Sequence, residues 1–167
     1  MLNEEDSSVN SLPEYAHQFL KEPPELLTGF HYEDIEAFLI LGTEERFVTG
    51  DVVLREEDRI KCAYLIGKGS ISVWKDNIEL AVLGEGDILG ETFLFNKFNK
   101  PGKIQSEGDS IVLKFDRYEV LNYFRKKPEK LFNIFTKNII DIQQKKINNI
   151  NWQLVKLKKR LLETDKW

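Results

Sequence analysis

The stretch that decides the fold is CAYLIGKGSISVWKDNIELAVLGEG, residues 62–86. It holds short β-type runs at 62–66, 70–74 and 78–83, rich in Ile, Val, Leu, Tyr and Trp and each halted by glycine or Asx residues. Gly67-Lys68-Gly69 and Gly84-Glu85-Gly86 are loop signals. Asp76-Asn77 between two apolar runs predicts a two-residue hairpin, because both side chains tolerate positive φ. Working outward, further runs fall at 46–48 and 51–55 on one side and at 104–107 and 110–115 on the other. Thr49-Gly50 divides the first pair, and Gly108-Asp109, read as a second hairpin signal, divides the other. Short strands at this spacing, with turn residues between them, indicate a sandwich or barrel.

Helical patterns flank the strands. A short one starts at Pro13, with Tyr15, Phe19 and Leu20 on one side, and is stopped by Pro23-Pro24. A second spans 32–41, with Ile35, Phe38 and Leu39 at helical spacing, and a third spans 117–127 with Val120, Leu121 and Phe124. Pro128 suits the first turn of a new helix, and no Gly or Pro follows it. Apolar residues then step by threes and fours through Phe132, Phe135, Ile139 and Ile142, and again through Ile147, Ile150, Leu154, Leu157 and Leu161, with a slip in phase at 143–146. Such a helix would be ~50 Å long, more than a small barrel needs. A parallel homodimer is therefore expected along Phe135, Ile139, Ile142, Ile150, Leu154, Leu157 and Leu161; the alternative is a helix folded back on its own barrel. The chain divides into a disordered arm (1–12), a β-roll with flanking helices (13–127) and a long helix (128–167). The fold class is α+β, a jelly-roll-like double-stranded β-helix between N-terminal helices and one long C-terminal helix.

The 167 residues carry 24 Lys and Arg against 28 Asp and Glu, a net charge of −4 that hides an asymmetry. Residues 1–124 hold 12 basic and 24 acidic side chains; residues 125–167 hold 12 and 4. A division of this kind predicts two elements with different tasks. The N-terminus is acidic and polar, unlike a secretory signal, and no apolar run approaches a membrane span. The lone Cys62 sits inside an apolar run, as a core residue in a reducing compartment would, and the cytoplasm is the expected location. His17 and His31 both fall outside the β-type runs, so neither a metal centre nor a Cys–His or Ser–His nucleophile is suggested, and no enzyme is expected.

The stretch 84–115, GEGDILGETFLFNKFNKPGKIQSEGDSIVLKF, carries the chemistry. A β run ends at Gly90, and Glu91-Thr92-Phe93-Leu94 then reads as one helical turn. Gly90 allows close backbone approach, the first N–H groups of the turn are free for an anion, and Glu91 can accept from ligand hydroxyls. The order of elements, FHYEDIEAFLILGTEERFVTGDVVLREED, then AYLIGKGSISVW, IELAVLGEGDILGE and DSIVLKFDRYEVLNYF, resembles the cyclic nucleotide-binding domain of the catabolite-activator and protein-kinase regulatory-subunit superfamily.

The resemblance implies a phosphate cassette in which a Gly-Glu pair opens a short helix, the glutamate grips a ribose hydroxyl, and an Arg followed by Ser/Thr and Ala clamps the cyclic phosphate. Gly90 and Glu91 match it; Lys100, Pro101 and Gly102 stand at the other three positions. Lysine lacks the planar fork of arginine, and proline removes both a hydroxyl and an N–H. Losing two or three charge-assisted hydrogen bonds at ~1.5–3 kcal/mol each would weaken binding by ~10²-fold or more. The base-reading positions implied on the long helix fall near Lys145 and Lys146. The expected ligand contacts are thus Gly90, Glu91, Thr92, Phe93, Lys100, Pro101, Gly102, Lys145 and Lys146. Three outcomes stay open: a cyclic AMP or cyclic GMP sensor, a binder of another anionic small molecule, and a ligand-free module that dimerises or docks a partner protein. No cofactor or metal is expected. The sequence stops at Trp167 directly after the long helix, so sequence-specific DNA binding is not expected. The basic run at 156–160 would form the solvated flank of the dimer seam or touch phosphates nonspecifically.

Overall fold

A computed structural model describes residues 12–55, 61–95 and 102–164. After a 3-10 turn at Glu14–His17 the chain forms α1 (Gln18–Lys21), a 3-10 turn at Glu25–Leu27, and α2 (Tyr32–Leu39). Strands β1 (Thr43–Phe47), β2 (Val52–Leu54), β3 (Cys62–Lys68), β4 (Ile71–Lys75), β5 (Ile78–Leu83) and β6 (Ile88–Leu89) follow. A 3-10 turn at Glu91–Leu94 then leads to β7 (Lys103–Ser106), β8 (Ser110–Asp116), α3 (Arg117–Arg125) and α4 (Glu129–Thr164). The strands make two antiparallel four-stranded sheets, in the orders β1-β8-β3-β6 and β2-β7-β4-β5. This is the expected β-roll with its helical flanks.

Asp76 and Asn77 take φ of 49° and 60° and close the β4–β5 hairpin as their side chains predict. Gly108-Asp109 does not close a hairpin: β7 and β8 lie in different sheets, and residues 107–109 carry the chain from one to the other. The crossing is held by side chains, with Ser106 Oγ donating to Gly108 O (2.6 Å) and Ser110 Oγ to Ser70 O (3.1 Å). β1 starts at Thr43, three residues before the expected run, and the β run expected to end at Gly90 is the two-residue β6, which ends at Leu89. Leu12, assigned to a disordered arm, is buried in the core; the rest of that arm lies outside the described residues.

Both faces of β3 and β8, the two central strands of the first sheet, are covered, so they read as nearly unbroken apolar runs rather than alternating ones, whereas the edge strand β1 is polar and largely exposed. On β3, Ala63 and Leu65 face the helices while Tyr64 and Ile66 face the opposite sheet; on β8, Leu113 and Phe115 face the helices and Val112 turns inward. The helix-side core is aromatic. Phe38 stacks on Phe115 at 4.9 Å between centroids, and Phe124 meets Phe135 at 4.8 Å. Each such fully buried ring stabilises the fold by about 1.5–3 kcal/mol.

α4 has 36 residues, and two stretches of it have different surroundings. Leu131, Phe135, Ile139 and Ile142 are buried in the chain's own core. Phe135, Ile139 and Ile142 are therefore no part of a seam between copies: their stripe is covered by α2, α3 and the roll. Ile150, Leu154, Leu157 and Leu161 are exposed, Ile150 at the edge of the roll and the other three farther along the helix, and Ile140 and Ile147 extend their row toward the N-terminus. Helix folded back and helix outrunning its domain both hold, one on each side of the phase slip.

Candidate functional site

The site is built where β6 meets α4. Gly90, the residue after β6, takes a left-handed φ of 73° at the start of the Glu91–Leu94 turn. A side chain there would be strained, so glycine lets the chain reverse and send Glu91 inward. Glu91 is only 2% exposed. Its Oε1 accepts from Lys146 Nζ at 2.6 Å and from Gln143 Nε2, both on α4. Lys146 Nζ also donates to Ile88 O at 3.0 Å. The buried carboxyl group thus accepts from one ammonium and one amide, the hydrogen bonding that burial of a polar group requires.

Two further ties hold α4 over the site. Asn138, nearly fully buried, donates through Nδ2 to Leu26 O (2.9 Å) and Thr28 O (2.8 Å). Between Glu91's two partners in the chain, Lys145 pairs with Glu25. Beside this cluster a cavity of about 770 Å³ opens between β5, the segment 86–89 and α4. Its floor includes Val73, Leu80, Leu83, Ile88 and Leu89, and its helix wall includes Lys145, Lys146 and Ile150. The volume lies within the roughly 300–1,000 Å³ of small-molecule sites.

Gly90, Glu91 and Lys146 are brought together, with Lys145 on the cavity wall and half-buried Thr92 in the same turn. The Phe93 side chain does not line the cavity: it is buried in the helix-side core, because the turn points residue 93 inward. Gly102 has no side chain to offer, and its backbone is packed on β4. At φ 106° its backbone lies so close to β4 that a Cβ would stand 2.2 Å from Trp74 O. Lys100 and Pro101 lie outside the described residues. Gln143 and Asn138 were not anticipated. Gln143 sits at the phase slip of the helix, and a polar break in a stripe that must be buried is the signal that could have found it. Among the described residues no group of three His, Cys, Asp or Glu could hold a metal ion, and no helix is long and apolar enough to cross a membrane.

The model of the cyclic nucleotide-binding domain family matches residues 44–127. Over 84 residues the chain is 31% identical to the mouse (Mus musculus) voltage-gated inwardly rectifying potassium channel KCNH7; the match covers 48% of this chain and 7% of the channel. A cyclic nucleotide-binding domain from Methylobacillus flagellatus superposes with a TM-score of 0.73 at 17% identity, covering 84% of each chain. The Thermus thermophilus catabolite activator protein superposes with a TM-score of 0.68 at 18% identity, covering 80% of this chain and 63% of that one. At these identities the structural likeness is one of fold.

Proposed function

The chain belongs to the cyclic nucleotide-binding domain family, and from that premise we propose that it is a non-enzymatic, cytoplasmic regulatory protein whose pocket takes a cyclic nucleotide and whose long helix carries the response. The observation that carries this reading is the bond between the cassette carboxylate and that helix: Glu91 is held by Lys146 and Gln143. A ribose hydroxyl donating to Glu91 has to compete with both. Its arrival frees Lys146 to face the cyclic phosphate and loosens α4 from the roll. Ligand then shifts the helix between two positions by its different affinity for them. The exposed row Ile150, Leu154, Leu157 and Leu161 supports a homodimer in which the shift in α4 is passed to a second copy.

The test is calorimetry on the full chain with cyclic AMP, cyclic GMP and a cyclic dinucleotide. We expect saturable binding of one of them, weakened at least ~tenfold by Glu91→Ala, the loss of about 1.4 kcal/mol or more. Lys100→Ala should also weaken it. Silence at millimolar ligand would sink the sensor reading. The second reading, a ligand-free docking module, is favoured by one observation: the chain's own side chains already fill the acceptor that a ligand needs.

A further inference from the structure

The exposed part of α4 carries more apolar surface than one seam explains. Ile147, Ile150, Leu154, Leu157 and Leu161 share a stripe with heptad spacing, the one a second copy would cover. Trp152, Val155 and Leu162 are also exposed, by 70%, 42% and 67%. At about 100° per residue their mean direction lies roughly 140° round the helix from that stripe, so a two-stranded coil leaves them in water. Positions 152, 155, 159 and 162 repeat the three-four spacing, with Lys159 as the one polar member.

Charge describes what should cover this second stripe. Between Asp141 and Glu163 the helix has no carboxylate, while Lys145, Lys146, Lys156, Lys158, Lys159 and Arg160 are all cations. Lys145 and Lys146 are spent on Glu25 and Glu91. Lys156, Lys158, Lys159 and Arg160 make no ion pair among the described residues, and they flank Trp152, Val155 and Leu162. We propose that this second stripe is a docking surface for an acidic amphipathic helix of another protein, with Trp152 as its anchor. Tryptophan is the side chain most often found at the energetic centre of such contacts. The stripe is narrow and separated from the dimer row by Asn151 and Lys158, so it does not form the broad apolar face with which a helix lies flat on a membrane. Val155 and Leu162 offer nothing to a phosphate backbone, which argues against nucleic acid as the occupant. The surface stands apart from the pocket and does not depend on whether a nucleotide binds.

The test uses the full chain and a labelled synthetic peptide of about three heptads, leucine at the a and d positions and glutamate at the flanking ones, read by fluorescence anisotropy. The same peptide with lysine for glutamate, phosphatidylserine vesicles and a short DNA duplex serve as rivals. We expect the acidic peptide to bind with a dissociation constant of roughly 10 µM or tighter, and the lysine peptide not to bind. Trp152→Ala should weaken binding at least ~tenfold while leaving the sedimentation coefficient unchanged. Lys156→Glu with Lys159→Glu should transfer the preference to the lysine peptide. Leu154→Ala, on the dimer row, should leave peptide affinity within about twofold. Absence of binding, equal binding of both peptides, indifference to Trp152→Ala, or tighter Trp152-dependent binding to vesicles or duplex would each overturn the proposal.

Discussion

At the residue scale the molecule turns on a pair of side chains with unequal exposure. The Glu91 side chain is 3% exposed and that of Lys146 36%, so the two partners do not suffer equally when separated. Lys146→Met leaves a buried carboxylate with only Gln143, at a cost of about 2–4 kcal/mol. Glu91→Gln leaves a lysine that can turn to water, and should cost less than half as much. Chemical denaturation of the two variants checks the order; a reversed order would mean that Glu91 is not the constrained partner. Gly102→Ala has a different origin: with Trp74 O at 2.2 Å from the added Cβ and φ at 106°, β7 must shift from β4, a cost of about 2 kcal/mol or more in the same assay. Cys62 is half-buried, and burial pushes its thiol above the usual value. Less thiolate is present at any given pH, so alkylation near pH 8 should be slower than that of free cysteine and should rise toward it only under more alkaline conditions. Burial and Asp34 push the phenol of Tyr123 in the same direction. Its contribution to stability is present below pH ~10, the unfolded phenol's range, and is lost as the pH climbs further toward the folded value.

At the scale of elements, α4 does two jobs with one helix. Its stretch through Leu131, Phe135, Ile139 and Ile142 is part of the core, pinned by Asn138 to the segment before α2. Asn138→Leu leaves Leu26 O and Thr28 O without a donor and should destabilise the fold by about 1–3 kcal/mol, read from the denaturation midpoint. Removing everything after Pro128 takes this core stretch away along with the tail, so it cannot test dimerisation by itself. Leu154→Asp with Leu157→Asp can, because both residues are exposed in the single chain. We expect the double variant to sediment as a folded monomer with unchanged near-ultraviolet circular dichroism, and a variant that stays dimeric would move the seam elsewhere. The phase slip at 143–146, legible in the sequence as a fault in a coiled coil, is the place where the helix changes partners. Periodicity locates the apolar face of a helix but carries no information about what lies against it.

At the scale of the whole molecule, the basic segment 125–167 begins inside the packed body, through Leu131, Phe135, Ile139 and Ile142, and ends in the projecting stretch of α4. Hydrogen exchange should reflect it. Amides over 131–146 should exchange with the slow core of the roll, and those over 150–164 should exchange fast in dilute protein and slow down as concentration rises, because a lone helical tail is marginal in water. Concentration-independent exchange in the tail would count against self-association. The sequence by itself determined what depends on near neighbours: the Asp76-Asn77 turn, the glycine that opens the Glu91 turn, the start of α2 and α3, and an order of elements specific enough to identify the family. Only the tertiary structure decided what depends on residues far apart in the chain. It took β7 and β8 into different sheets, buried Phe93, Phe135, Ile139 and Ile142, and set Lys146 against Glu91, 55 residues away. The reason is physical. Turn chemistry and periodicity are governed by sterics within a few bonds, whereas burial and ion pairing are settled by which surfaces meet when the sheets and helices pack.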